Sequence, residues 1–222
     1  MGLKESGLRA SLRSVSTGVV AIPDSVLLPE SDDLTHFDGD IGDFDINSDQ
    51  PKFNTEFTDL SLKATGSTEN VFIGSTSGLE RYPDVGDTHR LAIYLDNADS
   101  SLADTFFGHS LETSRDDGYA VRVREPDDED EFRIMRFDGG STIGLVNETN
   151  VGLTAQEWHE IEIFHDSDGD ITATLFNNDG VQMTQLTAND STYISNGSYD
   201  HTGVGFFEGR GQNDAIDFWR FV

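Results

Sequence analysis

The sequence contains no cysteine, which excludes disulfides, zinc–thiolate centres and thiol catalysis. Lysine is nearly absent as well: only Lys4, Lys52 and Lys63 occur, beside 11 arginines. Against these 14 bases stand 42 acids, 28 of them aspartate, so the formal net charge is −28. Such a surface repels a phosphate backbone, which excludes a nucleic-acid partner. An anionic membrane surface repels it likewise. No run of 18 apolar residues exists, so no bilayer insertion is expected. The apolar stretch Val15–Ile22 is too short and too polar for a signal peptide, and we expect a protein made without export.

What is present argues for a folded domain. Hydrophobic residues make up 35% of the chain, 15 of them phenylalanine. They recur in strand-like runs, unlike the composition of a disordered acidic chain. A folded core under an acidic, lysine-poor skin is the pattern of salt-loving organisms. Molar salt shortens the Debye length to roughly 3 Å and screens the self-repulsion. We therefore expect a halophilic protein that loosens in dilute buffer.

Residues 1–30 differ from the rest. Leu8, Leu12 and Val15 fall at helical spacing, with Arg9 and Arg13 off the apolar stripe, before Pro23 and Pro29 break regular structure. This reads either as a loose terminus or as a docking arm, in which Leu8, Arg9, Leu12 and Arg13 meet an acidic partner. Residues 31–222 read as one β-sandwich. Apolar residues alternate at Leu60/Leu62/Ala64, Leu91/Ile93/Leu95, Tyr119/Val121/Val123, Ile161/Ile163, Ile171/Ala173/Leu175 and Ile216/Phe218, predicting one buried and one wet face. Asp138-Gly139-Gly140, Asp168-Gly169, Asn178-Asp179-Gly180 and Asn196-Gly197 are turn signals. Those at 168–169 and 179–180 predict a meander of at least three antiparallel strands. Thr154 and Glu157 are spaced as a capping box, predicting a helical turn over 153–158. The acidic run Glu125–Glu131 reads as a solvated loop.

Several segments of this second part carry a resemblance. They are Thr35–Asp40, Gly86–Leu91, Leu95–Ala98, Phe106–Gly108, Gly118–Val123, Trp158–Ile163, Gly203–Phe206 and Asp214–Phe221. In order and spacing they resemble the concanavalin A-like lectin/glucanase group, including its laminin-G-like modules, in a version common in haloarchaea and their viruses. The resemblance implies an all-β, two-sheet antiparallel jelly-roll sandwich whose first and last strands lie side by side.

Glucan-hydrolysing members of that group carry Glu-x-Asp-x-x-Glu on one strand. The nearest match here, Glu160-Ile161-Glu162, lacks the third carboxylate, and its parity predicts a solvated strand face. No nucleophile elbow, phosphate loop or histidine pair at ligand spacing occurs. His159 and His165 flank one strand six residues apart and read as ordinary surface or edge imidazoles. We expect no catalytic residues. Two acidic groups qualify for Ca2+, whose ligands are hard oxygens. Asp166, Asp168 and Asp170 resemble the start of a calcium loop but lack its later positions, and a hairpin tip is the favoured alternative. Asp38, Asp40 and Asp217 correspond to the place where the group often holds a structural Ca2+ between first and last strands. For glycan binding, Tyr94 and Trp219 have the parity of exposed rings, with a second core layer as the alternative.

The expectation that follows is a non-enzymatic virion component of a halophilic virus: a tail, fibre or head-decoration subunit, assembled in the host cytoplasm as a homo-oligomer. Its arm binds other virion proteins, and its lectin-like sandwich binds host surface glycans. A native start at Met1 favours this. The alternative is a cell-surface or secreted haloarchaeal carbohydrate-binding or adhesion module.

Overall fold

The computed structural model describes residues 26–27, 38–39, 44–47, 61–64, 70–74, 85–96, 103–112, 116–125, 130–194, 201–206 and 214–221. They form fifteen strands and, among the described residues, no helix. In chain order these are β1 (Val26–Leu27), β2 (Asp38–Gly39), β3 (Phe44–Asn47), β4 (Ser61–Ala64), β5 (Asn70–Gly74), β6 (Thr88–Leu95), β7 (Ala103–Leu111) and β8 (Gly118–Glu125). They continue with β9 (Glu131–Asp138), β10 (Ser141–Thr149), β11 (Glu157–His165), β12 (Asp170–Phe176), β13 (Gln182–Asn189), β14 (His201–Phe206) and β15 (Ala215–Phe221). Sheet I runs β13-β12-β11-β6-β15-β4-β3, with β1 also paired to β15. Sheet II runs β10-β9-β8-β7-β14-β5-β2. Every pairing is antiparallel.

The expected meander is present as β11-β12-β13. Its turns, and the two-residue turn between β9 and β10, fall on the Gly signals. Asp138 pairs with Ser141 across Gly139 and Gly140, whose φ angles of 54° and 77° require a residue free of the Cβ penalty. The first and last described strands do lie together: Val26 pairs with Arg220 and Leu27 with Trp219. Residues 26 and 27, counted above with the arm, therefore belong to the sandwich.

The core lies between the inner faces of the two sheets. Leu91, Ile93, Leu95, Ile161, Ile163, Ile171, Ala173 and Leu175 of sheet I meet Phe107, Tyr119, Val121, Val123, Phe132 and Ile134 of sheet II. Within each strand they fall on alternate positions, and the alternation read at 91–95, 119–123, 161–163 and 171–175 correctly selected the inner face.

Local signals failed in three places. The capping box at Thr154 and Glu157 makes no helix: residues 155–156 form a turn, with Gln156 at φ 60°, and Glu157 already opens β11. A cap contributes about 1 kcal/mol, whereas the alternative is a strand in register with β6 from Glu157↔Leu95 to Phe164↔Thr88. The acidic run does not end in solvent. Asp130 accepts the backbone N–H groups of Val151, Gly152 and Leu153 at 2.6, 2.8 and 2.6 Å, and Glu131 is buried beside Arg133. His159 and His165 are not surface imidazoles either: they are 1% and 0% exposed on the inner face of β11, and His89 is buried on β6. His165 meets Tyr119 edge-on, with ring centroids 4.9 Å apart. Burial pushes the His159 imidazole down to about 4, against the opposing pull of a Glu157 backbone hydrogen bond and the Asp130 charge.

Candidate functional site

The outer face of sheet I is built by the residues that alternate with its core. Register places Trp158 opposite Tyr94, Glu160 opposite Ala92 and Phe176, Glu162 opposite Arg90 and Thr174, and Phe164 opposite Thr88 and Thr172. Thr172 and Thr174 in turn face Thr187 and Gln185 of β13. Residues directly opposite on one face have Cβ atoms about 4.5–5.5 Å apart. One face thus carries a graded series from β6 to the β13 edge.

Its two ends are different environments. At one end Ala92, Tyr94, Trp158 and Ala215 form a buried cluster, with the Tyr94 and Trp158 rings 5.4 Å apart. Burial, and then the Asp96 charge, raise the Tyr94 hydroxyl. In the middle, Arg90 Nη1 meets Glu160 Oε1 at 2.8 Å and Arg90 Nε donates to Glu162 Oε2 at 2.6 Å, while its guanidinium carbon sits 5.4 Å from the Phe176 ring centre. At the other end the face opens. Phe164 is 36% exposed. Beside it a shallow depression of about 380 Å3 is lined by Asp170, Ile171, Thr172, Thr187, Ala188 and Asn189.

The turn at the open end is tied by hydrogen bonds. Asp166 Oδ1 accepts the backbone N–H groups of Asp168 and Asp170 at 2.8 and 3.0 Å, closing the β11–β12 turn. A Cβ on Gly169 would come within 2.9 Å of the Asp190 backbone, and φ is +89° there, so only glycine fits. Asp190, next to the groove residue Asn189, ties sheet I to sheet II. It accepts from Arg136 Nη1 at 2.6 Å, Tyr119 Oη at 2.8 Å and Thr192 N at 2.9 Å. Burial would raise the Asp190 carboxyl, but the Thr192 and Tyr119 hydrogen bonds and the Arg136 charge outweigh it and hold the group below its ordinary value.

No protein-family model matches the chain. No curated protein matches it in sequence. Solved structures match in shape. The exoplasmic/lumenal domain of VIP36, in its Ca2+/Man-bound form, superposes with a TM-score of 0.56 at 8% identity, covering 90% of each chain. The carbohydrate-binding module CBM66 from Bacillus subtilis gives 0.53 at 10% identity, covering 84% of this chain and 93% of that one. A family 16 endo-glucanase from Bacteroides ovatus gives 0.53 at 10% identity, covering 86% and 96%. The fold is the concanavalin A-like jelly roll. At these identities the likeness establishes architecture alone, shared by binding modules and hydrolases.

Within this jelly roll several expected site residues fall elsewhere. Tyr94, predicted as an exposed sugar platform, is 6% exposed against Trp158, so the second-layer alternative holds. Trp219 was given the parity opposite to Ile216, but β15 bulges between them. Ile216 aligns with Ile93 and Trp219 with Leu91, so two residues fill the place of one; the Trp219 side chain lies outside the described residues. Asp38 lies in β2 of sheet II and Asp217 in β15 of sheet I, between Ile216 and Trp219; their side chains lie outside the described residues. Asp40 and the arm residues Leu8, Arg9, Leu12 and Arg13 lie outside the described residues.

Asp166, Asp168 and Asp170 do not converge as a calcium site. Asp166 Oδ1 is spent on backbone N–H groups, Asp170 Oδ1 accepts from Asn189 Nδ2 at 2.6 Å, and no group of three acidic or histidine side chains among the described residues can hold a metal ion. Glu160 and Glu162 do share a face, but the expected solvated face is half right: Glu160 is buried, and both form ion pairs with Arg90. Sequence reasoning missed Phe164, Thr172, Thr187 and Asn189 as a group. The available signal was a phenylalanine at wet-face parity facing a threonine-rich strand.

Proposed function

We propose that this chain is a non-enzymatic, lectin-like glycan-binding sandwich, and that its site is the open end of the outer face of sheet I. The observation that carries the reading is the row Phe164–Thr172–Thr187, beside a groove closed by the hydrogen-bonded pair Asp170 and Asn189. An exposed ring offers a flat apolar platform to the C–H face of a sugar, while hydroxyl, amide and carboxylate oxygens meet its hydroxyls. Two of the similar structures are, by name, a carbohydrate-binding module and a Ca2+/Man-bound lumenal domain. Binding rather than hydrolysis is supported by Glu160 and Glu162: both are locked onto Arg90, so neither is poised as an acid beside a free nucleophile. The test is retention on immobilised glycans in molar salt. Wild type is expected to be retained and Phe164→Ala released at least tenfold more readily; equal retention of the two sinks the site. Among the described residues no group of three acidic or histidine side chains can hold a metal ion, so chelation is expected to leave retention unchanged.

The finer reading, an oligomeric virion subunit of a halophilic virus, rests on the acidic composition and on Leu8, Arg9, Leu12 and Arg13. Because Val26–Leu27 pairs with β15, the appropriate truncation removes residues 1–20 and spares that strand. The truncated sandwich is expected to fold and bind glycan yet fail to incorporate into particles; normal incorporation overturns the docking role.

A further inference from the structure

The groove residues also define what kind of sugar fits. We infer that the site selects neutral glycans through a pair of neighbouring hydroxyls and rejects uronate, sialylated and sulfated ones; this rests on the glycan-binding reading above. The reason is the balance of donors and acceptors. Asn189 Nδ2 donates inward, to Asp170 Oδ1 at 2.6 Å and to the Asp168 carbonyl at 3.4 Å. The backbone N–H groups of Asp168 and Asp170 are spent on Asp166. What remains for a ligand is Asn189 Oδ1 and Asp170 Oδ2, both acceptors, and the Thr172 and Thr187 hydroxyls, which donate or accept but carry no positive charge. A sugar hydroxyl can donate to Asp170 Oδ2 and Asn189 Oδ1, whereas a carboxylate or sulfate brings no donor to them and sets a like charge beside Asp170, with only neutral threonine hydroxyls to receive it.

The nearest cation on the same face does not change this balance. Arg90 lies one row away and is held by Glu160 and Glu162. Long-range repulsion from the net charge of −28 also disfavours acidic sugars. That field collapses in molar salt, where the Debye length is roughly 3 Å, whereas contacts at hydrogen-bond distance persist. Selectivity that survives in salt therefore belongs to the groove.

The experiment applies the full chain, in about 2 M KCl, where the field is screened, to a printed array of neutral, uronate-bearing and sulfated glycans. Hits are then titrated against wild type, Phe164→Ala and Asp170→Asn, each checked for an unchanged thermal midpoint. Neutral hits alone are expected. Asp170→Asn, which keeps the shape but removes the charge-assisted acceptor, is expected to weaken them about tenfold. Acidic glycans binding as well as neutral ones, with Phe164→Ala still disruptive, overturns the selectivity and leaves the site standing. Neutral hits indifferent to both substitutions overturn the site. An array with no hits overturns the glycan-binding reading and the selectivity with it.

Discussion

The outer face of β6 and β11 obeys one alternation from end to end, yet its ends differ completely. Tyr94 and Trp158 are 6% and 3% exposed, while Phe164, six residues along β11, is 36% exposed. All three are aromatic residues at the same parity. Parity states which side of a sheet a residue leaves from. Whether that side meets solvent depends on what packs over it, and this is where binding surface and second core part company.

The sharpest way to break that comparison is to truncate one ring at each end. Trp158→Ala removes a buried ring and is expected to cost about 3–5 kcal/mol, read as a loss in the denaturant midpoint at unchanged slope. Phe164→Ala is expected to cost under about 1 kcal/mol while abolishing retention on glycan. Equal costs at the two ends contradict the assignment of one as core and the other as surface.

The next effect tests the inner face of the same strand. His159 is held neutral by burial, with a folded value of about 4 against 6.5 for the free side chain. Its folded value is depressed, so the unfolded chain binds the extra proton between those limits. Stability is therefore complete above about pH 6.5 and falls as the pH drops towards 4, by about 3 kcal/mol in all. Acid denaturation of His159→Gln beside wild type measures it; parallel curves for the two place the pH dependence elsewhere.

A smaller effect concerns the link between the sheets. Arg136→Ala removes one partner of Asp190, which still accepts from Tyr119 and Thr192. The expected cost is about 2 kcal/mol. Because Asp190 adjoins Asn189, glycan affinity is expected to fall with it, whereas a mutation in distant β4 leaves affinity alone. The Asp190 carboxyl is depressed, so its contribution is present above the ordinary carboxylate range and lost as the pH falls through its folded value. The smallest effect is at the turn beneath the groove. Asp168→Asn, on an exposed side chain, is expected to change stability by less than about 0.5 kcal/mol. It is also expected to leave stability indifferent to added calcium.

Much of the architecture was legible in the residues. Alternation at Leu91–Leu95, Tyr119–Val123 and Ile171–Leu175 identified inner faces, and the Gly turns at 139–140, 169 and 180 delivered the hairpins. Both signals are local: one comes from the two-residue period of a strand, the other from the φ that a tight turn demands. The misreadings share the opposite character. Asp130 became an anchor because the backbone of 151–153 folded back onto it, from 21 to 23 residues away. β15 carries a bulge between Ile216 and Trp219 that no spacing in the sequence marks.

The groove shows the same division. Its oxygens were visible only singly, and Asp170 was read as a ligand for a cation. The pairing of β12 with β13 turned Asp170 towards Asn189, and the pairing of β11 with β12 set Phe164 beside Thr172. By itself the sequence determined an acidic, cysteine-free, all-β chain with its inner faces and turns in place, because charge, period and turn chemistry act over a few residues. The tertiary structure alone decided which aromatic ring meets solvent, which carboxylates are ion-paired and which three strands line the groove and its row. Those outcomes depend on packing and register between segments up to a hundred residues apart, and no short-range preference encodes them.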